Sequence, residues 1–381
     1  MVPKTTRKNN DTTILERLYM ALELSNAEWK LGFTVGLGQP PRLRSLEARG
    51  LRGLVQEIRL ATKRFGLSDD ARVLSCYEAG RDGFWLHRYL ATEAVNNVVV
   101  DSASIEVNRR FRRAKTDRMD VGKLLNMLMR YDQGEQKVWS VVNVPSVEVE
   151  DQRQLHRELM ALKRERTHHI NRIKGILASQ GVVLPFRADF LSQLEAVRLW
   201  DGSRLPSALH TRVLREHKRY QLVKEQTQQL EARRRECIRN AEGPAMQQVR
   251  QLLRLKGIGV NSAWLYVMEF FSWRKFQNRR EVGALAGLTP TPYQSGENAR
   301  ERGISKAGTR FIRAIAIEIA WAWLRYQPDS KLSRWYQKRF AKGSSRIRRI
   351  GIVALARKLL VALWQYLEYG IIPEGAQLKP T

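Results

Sequence analysis

A serine, Ser295, stands between Gln294 and Gly296 in the stretch LAGLTPTPYQSGENARERGISKAG, which runs from Leu285 to Gly308. Pro290 and Pro292 stop any helix there and Gly296 permits a positive φ, so the hydroxyl is expected on a constrained, exposed loop. Arg300, Arg302, Lys306 and Arg310 follow closely, with Glu297 and Glu301 as the only acids nearby. A hydroxyl on a rigid turn beside that many cations suits attack on a phosphodiester, because Arg and Lys can hold the phosphate and offset charge developing in the transition state. The same residues suit an ordinary polar loop with a basic face toward nucleic acid, and this stretch alone leaves both readings open.

Four carboxylates form the second candidate set. Glu23 falls near the end of an apolar segment, LYMALEL, and Glu78 closes another, RVLSCY. Asp117 and Asp120 are three apart at the start of a helical pattern through Val121, Leu124, Leu125 and Leu128, which puts both on one face. Two acids in a first turn also balance a helix dipole, with Thr116 as N-cap. As a set, however, two helical carboxylates and two at strand ends could bind a divalent cation through oxygen and polarise a phosphate. Arg109, Arg110, Arg112, Arg113 and Lys115 lie just before that helix and could follow a phosphate backbone.

These residues need elements to position them. Leu18 to Leu24 and Lys30 to Leu37 read as a strand hairpin, and Gly50 to Phe65 as a helix. Arg72 to Tyr77 reads as a strand, Gly83 to Leu90 as a helix start and Val95 to Val100 as another strand. This alternation is an α/β arrangement with a mixed sheet, in which chemistry gathers beyond the strand ends. From Val147 to Gln180 and from Pro206 to Asn240 the pattern is helical and strongly charged, as in a helical hairpin or coiled-coil arm. His168 and His169 lie within it, but neighbours on a helix point apart and are not read as a metal pair. Beyond Pro244, LLRLKGIGVNSAWLYVMEF reads as helix, Gly-Ile-Gly turn and helix. There Gly257 and Gly259 would let backbone N–H groups approach a phosphate. The segment KLSRWYQKRFAKGSSRIRR is basic with interleaved aromatics, and a final helix runs from Ile347 to Tyr369.

Composition narrows the partners. The 381 residues carry 67 Lys and Arg against 38 Asp and Glu, a formal net charge of +29. Such self-repulsion gains nothing for an enzyme of small metabolites but neutralises phosphates in a nucleic-acid binder. No apolar run reads as long enough to span a bilayer and no signal peptide is evident, so a cytoplasmic protein without membrane attachment is expected. Cys76 and Cys237 are the only cysteines, too few for a disulfide framework or a cysteine zinc site.

Several stretches together resemble the DEDD-type insertion-sequence transposases guided by a bridge RNA, a group that includes the pilin-gene invertases. ALELS at Ala21 to Ser25 resembles the site of the family's first strand-borne acid, and CYEAGRDGFWLHRYL at Cys76 to Leu90 that of the second. AKTDRMDVGKLL at Ala114 to Leu125 resembles the paired-aspartate helix. LKGIGVNSAWLYVMEF and ALAGLTPTPYQSGENARERGISKAGTRFIR resemble the C-terminal transposase domain, whose nucleophilic serine matches Ser295.

The resemblance implies an RNase H-like N-terminal domain over residues 1–145, a helical coiled-coil arm over 146–242 and a mainly helical serine domain over 243–381. It implies that Glu23, Glu78, Asp117 and Asp120 hold Mg²⁺, and that Ser295 forms a covalent phosphoserine intermediate with DNA. The implied partners are donor and target DNA, a structured guide RNA and further copies of the chain, as a dimer and then a tetramer. One departure stands out: the family's first acid is usually aspartate, and Glu23 adds one methylene, about 1.5 Å of reach. A metal-dependent nuclease or junction resolvase would need the acids without Ser295, and a nucleic-acid-binding protein with a decayed site would need neither.

Overall fold

The computed structural model describes residues 16–105, 117–295, 298–306 and 308–380. The chain divides into two compact units, Met1–Val144 and Pro145–Thr381.

The first unit is built on a five-stranded sheet in the order β3-β2-β1-β4-β5. Its strands are β1 (Arg17–Leu24), β2 (Glu28–Thr34), β3 (Arg42–Glu47), β4 (Arg72–Glu78) and β5 (Asn96–Val100). The hairpin partners β1 and β2 run antiparallel, as do β2 and β3, whereas β4 is parallel to both β1 and β5. Period-two alternation explains why the sheet is covered on both faces. Leu18, Met20 and Leu22 point into one apolar layer with Leu54, Ile58, Leu86 and Leu90 of helices α1 (Leu51–Arg64) and α2 (Trp85–Thr92). Tyr19, Ala21, Leu74 and Cys76 point the other way, onto Val121, Leu124, Leu125 and Leu128 of helix α3 (Asp117–Asp132). Burying these four α3 side chains contributes roughly 1.5–3 kcal/mol each, which holds α3 on the sheet.

Among the described residues the regular structure of the second unit is helical apart from one small hairpin. Helices α4 (Val147–Ala178) and α6 (Ser207–Asn240) lie side by side, with the short α5 (Phe190–Ala196) closing their tip. Ser146 caps α4 by accepting the Val149 N–H. Ile173, Leu177, Phe190, Leu194 and Val213 fill the tip. His169 and Arg172 of α4 both contact Glu216 of α6 at 2.7 Å, so the histidine serves an ion-pair cluster between helices.

A larger core gathers α7 (Pro244–Leu253), α8 (Val260–Tyr266) with the wide turn Val267–Phe271, α9 (Arg279–Leu285), α10 (Arg310–Tyr326), α11 (Lys331–Phe340) and α12 (Ser345–Tyr369). Contrary to the sequence expectation, α12 is long and apolar enough, by length and composition, to cross a membrane. Its Ile352, Leu355, Leu359, Leu363 and Trp364 are buried in this core, which accounts for the apolarity.

Candidate active site

In the first unit, β1 and β4 deliver Glu23 and Glu78 to the same end of the sheet. The parallel register pairs Leu22 with Tyr77, so the next residue on each strand is Glu23 and Glu78. The alternation that turns Ala21 and Cys76 toward α3 turns these two carboxylates the same way. Glu23 is half-buried and Glu78 exposed.

Helix α3 brings the aspartates back to that end because it runs opposite to β1 and β4. Its last residue, Asp132, accepts a hydrogen bond from the Tyr19 hydroxyl at 2.7 Å and another from Arg17, both at the start of β1. Nearer its start, the Leu124 carbonyl accepts from the Cys76 thiol at 3.8 Å. Cys76 is level with Ala21. From Leu124 back to Asp120 the helix covers about 6 Å, and from Ala21 on to Glu23 the strand covers about 6.6 Å. Asp120 therefore lies level with Glu23 and Glu78, and Asp117 about one turn beyond.

Glycine at position 32 makes this close approach possible. A Cβ there would lie 2.3 Å from Val121 Cγ1 and 3.0 Å from Leu125 Cδ1. Burial pushes the Cys76 thiol pKa up, so the sulfur between the acids and the core stays protonated and inert.

The structure adds a carboxylate that the sequence reading passed over. Val100 pairs with Glu78, and Asp101 follows it at the same sheet end. A lone acid after VNNVVV looks like a strand terminator until the register places it next to Glu78. The donors at this end are oxygen only, the set that hard divalent cations take. Among the described residues no three His, Cys, Asp or Glu side chains cluster closely enough to bind a metal. The Asp117 side chain lies outside that description, as do Arg109, Arg110, Arg112, Arg113 and Lys115 entirely.

In the second unit, Ser295 stands on a strand instead of the expected loop. Strands β6 (Pro290–Ser295) and β7 (Asn298–Ile304) form an antiparallel hairpin, with Ser295 opposite Asn298 at the last paired position. Two prolines fit because this two-stranded ribbon has only edges, and the register shifts between Pro290 and Pro292. Arg300 pairs with Tyr293, about 7 Å along the ribbon from Ser295. Arg302 lies further down β7. Lys306 and Arg310 lie past the base, which Pro290 and Ile304 form about 17 Å from the tip. The cations that cluster in sequence are thus spread along the hairpin and beyond its base.

The base is fixed firmly. Ser305 donates its N–H to Thr289 O at 2.8 Å and Lys306 to Gly287 O at 3.2 Å, which tie β7 to the turn after α9. Lys306 itself adopts a left-handed φ of 57°. Gly308 follows with φ 71°, and a Cβ there would lie 2.1 Å from the Leu285 carbonyl oxygen. Helix α9 is anchored in turn by Asn278, whose side chain accepts from the N–H groups of Arg280 and Glu281 while Glu281 reaches back to the Gln277 N–H.

The Gly-Ile-Gly turn divides its glycines between two tasks. Gly257 has φ 85° and its Cα faces α10, where a Cβ would meet Ala322 O and Tyr326 Cβ at 3.4 Å. Gly259 is exposed with nothing within 4 Å of where a Cβ would stand, and is the position where a phosphate could approach the backbone.

Residues 249–337, from α7 through most of α11, match the family described as Transposase IS116/IS110/IS902. The chain is 41% identical over 385 residues to y4rJ of Sinorhizobium fredii, a protein carrying a transposase name, and the match covers 96% of this chain and 95% of that one. It is 27% identical over 221 residues to the transposase for insertion sequence element IS1328 of Yersinia enterocolitica, covering 57% of this chain and 63% of the relative. The transposase for insertion sequence element IS1111A of Coxiella burnetii is likewise 27% identical, over 233 residues, with 58% and 60% covered. With likeness along nearly the full length of one relative and a family match over the helices that carry the Ser295 hairpin, the chain belongs to the IS116/IS110/IS902 family of transposases.

Proposed function

We propose that this protein is an insertion-sequence transposase that cuts and rejoins DNA through a serine–phosphodiester intermediate, assisted by a carboxylate-bound Mg²⁺. The observation that carries the reading is the return of α3 to the strand ends, which sets Asp120 level with Glu23 and Glu78. A sheet ordered β3-β2-β1-β4-β5 with parallel β1, β4 and β5 supports an RNase H-like domain, and the paired α4 and α6 support a coiled-coil arm. The three-part division at 1–145, 146–242 and 243–381 is part of the same reading.

Glu23, Glu78, Asp117 and Asp120 would hold the cation. Among the described residues no three of these acids close on one point, so one or two of the four at a time, with waters and substrate phosphate, would serve, the ligation Mg²⁺ usually takes. When bound, it would supply Lewis-acid stabilisation of the reacting phosphate.

The chain's own work lies with Ser295. Its hydroxyl oxygen bonds to phosphorus as the bond from phosphorus to the leaving deoxyribose oxygen breaks. The serine loses its proton and the leaving oxygen gains one. The phosphoserine ester keeps the energy of the broken phosphodiester, so a second strand can displace serine without net hydrolysis. Arg300, Arg302, Lys306 and Arg310 on and beyond the hairpin, Gly259 at its turn and the arginines of 109–113 with Lys115 would hold the DNA backbone. Gly257 would shape that turn. A structured guide RNA would choose the sites by base pairing, leaving shape and backbone to the protein. Acidic and serine units from different subunits of a dimer or tetramer would complete the composite site on chromosomal DNA in the cytoplasm.

The test uses a nicked DNA junction, Mg²⁺ and the RNA encoded beside the element. Both Asp120→Asn and Ser295→Ala should abolish strand exchange. Cleavage that survives Ser295→Ala and fails in Asp120→Asn would make the protein a metal-dependent nuclease or junction resolvase instead.

A further inference from the structure

We propose that the cleft between α9 and α12 seats the DNA backbone that leads to Ser295; this rests on the serine reading above. The cleft has a volume of about 580 Å³ and is lined by Arg279 and Arg280 of α9, Arg357, Lys358 and Gln365 of α12, and Thr289. Four cations face it, and among the described residues no carboxylate lines it. Among the described residues none of the four forms an ion pair. The nearest acid on α9, Glu281, is engaged by the Gln277 N–H and the Asn278 amide, and on α12 the first acid is Glu368, beyond Gln365.

Two of the cations are held in place. The Lys358 ammonium rests 4.8 Å from the centre of the Trp335 ring. The Arg357 stem passes over Gly283, where a Cβ would be 3.4 Å from Arg357 Cγ. Four like charges held together gain only when a polyanion brings phosphates and releases its counterions.

Position selects DNA as that polyanion. Thr289 immediately precedes β6, so a strand seated in the cleft meets the base of the Ser295 hairpin. The hairpin is about 17 Å from base to tip, and phosphates recur about every 3.4 Å along one strand. The seated phosphates are therefore about five nucleotides from the one presented to Ser295.

The experiment measures binding of a nicked duplex by fluorescence anisotropy across a salt series, in full-length protein carrying Ser295→Ala so that chemistry plays no part. Adding Arg357→Gln and Lys358→Gln should weaken binding at least tenfold and flatten the log–log salt slope by about 1.8, two contacts at about 0.9 each. The charge-matched pair Arg59→Gln and Lys63→Gln, exposed on α1, should change affinity less than twofold. Methylphosphonates four to six nucleotides from the nick should reproduce the loss with an unaltered cleft, which covers the case of a misfolded variant. Equal loss from both pairs, no loss, or a loss confined to an RNA oligonucleotide would overturn the proposal. Adduct formation is scored separately with Ser295 intact at saturating DNA. Its absence alongside the expected binding result would sink the serine reading and leave the cleft assignment standing.

Discussion

Replacing Gly32 with alanine should separate the acids from one another without touching any of them. The added Cβ would sit 2.3 Å from Val121 Cγ1, and ordinary contact begins at 3.4 Å, so the pair must open by about 1.1 Å. Rotating Val121 is a poor escape, because a helical valine occupies one χ1 rotamer about 90% of the time. Leu125 Cδ1, already at 3.0 Å, blocks a sideways shift. Helix α3 must therefore rise from the sheet at its acidic end. Overpacking of this kind costs about 1–3 kcal/mol. A displacement of about 1 Å between groups that act together reduces a rate by about a hundredfold. Urea unfolding should show the stability loss, and cleavage of a nicked junction in Mg²⁺ should fall by about that factor while DNA binding persists. Adding Val121→Ala removes the clashing methyl and should recover most of the rate, a coupling that a double-mutant cycle reads directly. A Gly32→Ala protein that is destabilised but cleaves within twofold of the parent would refute the idea that α3 positions the acids.

Other expectations follow from the same geometry. Gly308→Ala should detach the hairpin base from α9, since the new Cβ would overlap the Leu285 carbonyl at 2.1 Å and the residue has φ 71°. Adduct formation should vanish while duplex binding stays within a few-fold, and an active Gly308→Ala protein would contradict the anchoring. Glu23→Gln should lower Mg²⁺-dependent cleavage by at least about a hundredfold, the loss of about 2.7 kcal/mol of charge stabilisation; unchanged cleavage would remove Glu23 from the site. His156 is buried with no hydrogen-bond partner among the described residues, and burial lowers its pKa from 6.5 to about 4. The unfolded chain then binds the extra proton first, so stability is full above pH 6.5 and falls as pH drops toward 4, by an amount of order 3 kcal/mol. Urea titrations of the His156→Leu protein should lack that component of the slope, and an unchanged slope would refute the assignment.

Much of the first unit was legible because β1, β2 and β4 are interior strands. LYMALEL and RVLSCY alternate or run apolar as buried strands must, and their terminal acids mark the strand ends. Strand β3, RLRSLE, is not legible in the sequence because an edge strand buries little and its composition is that of a loop. The Ser295 ribbon looks like a loop in sequence for a related reason. Its order comes from backbone pairing and from the Thr289 and Gly287 carbonyls that accept from Ser305 and Lys306, which leave no hydrophobic pattern. Helix α11 was hidden by basic residues around a buried Tyr336. Asp101 needed the register to place it beside Glu78. The cleft cations could not be paired by reading along the chain, since Arg280 and Arg357 belong to helices brought together only by the fold.

In the proposed function Ser295 bonds to DNA. Protein, Mg²⁺, flanking RNA and a nicked junction would be incubated, denatured and digested, and the peptide containing Ser295 weighed by mass spectrometry. A nucleotide joined through phosphate to Ser295 is expected, absent from Ser295→Ala and from Asp120→Asn. Cleaved DNA with an unmodified Ser295 peptide would contradict it.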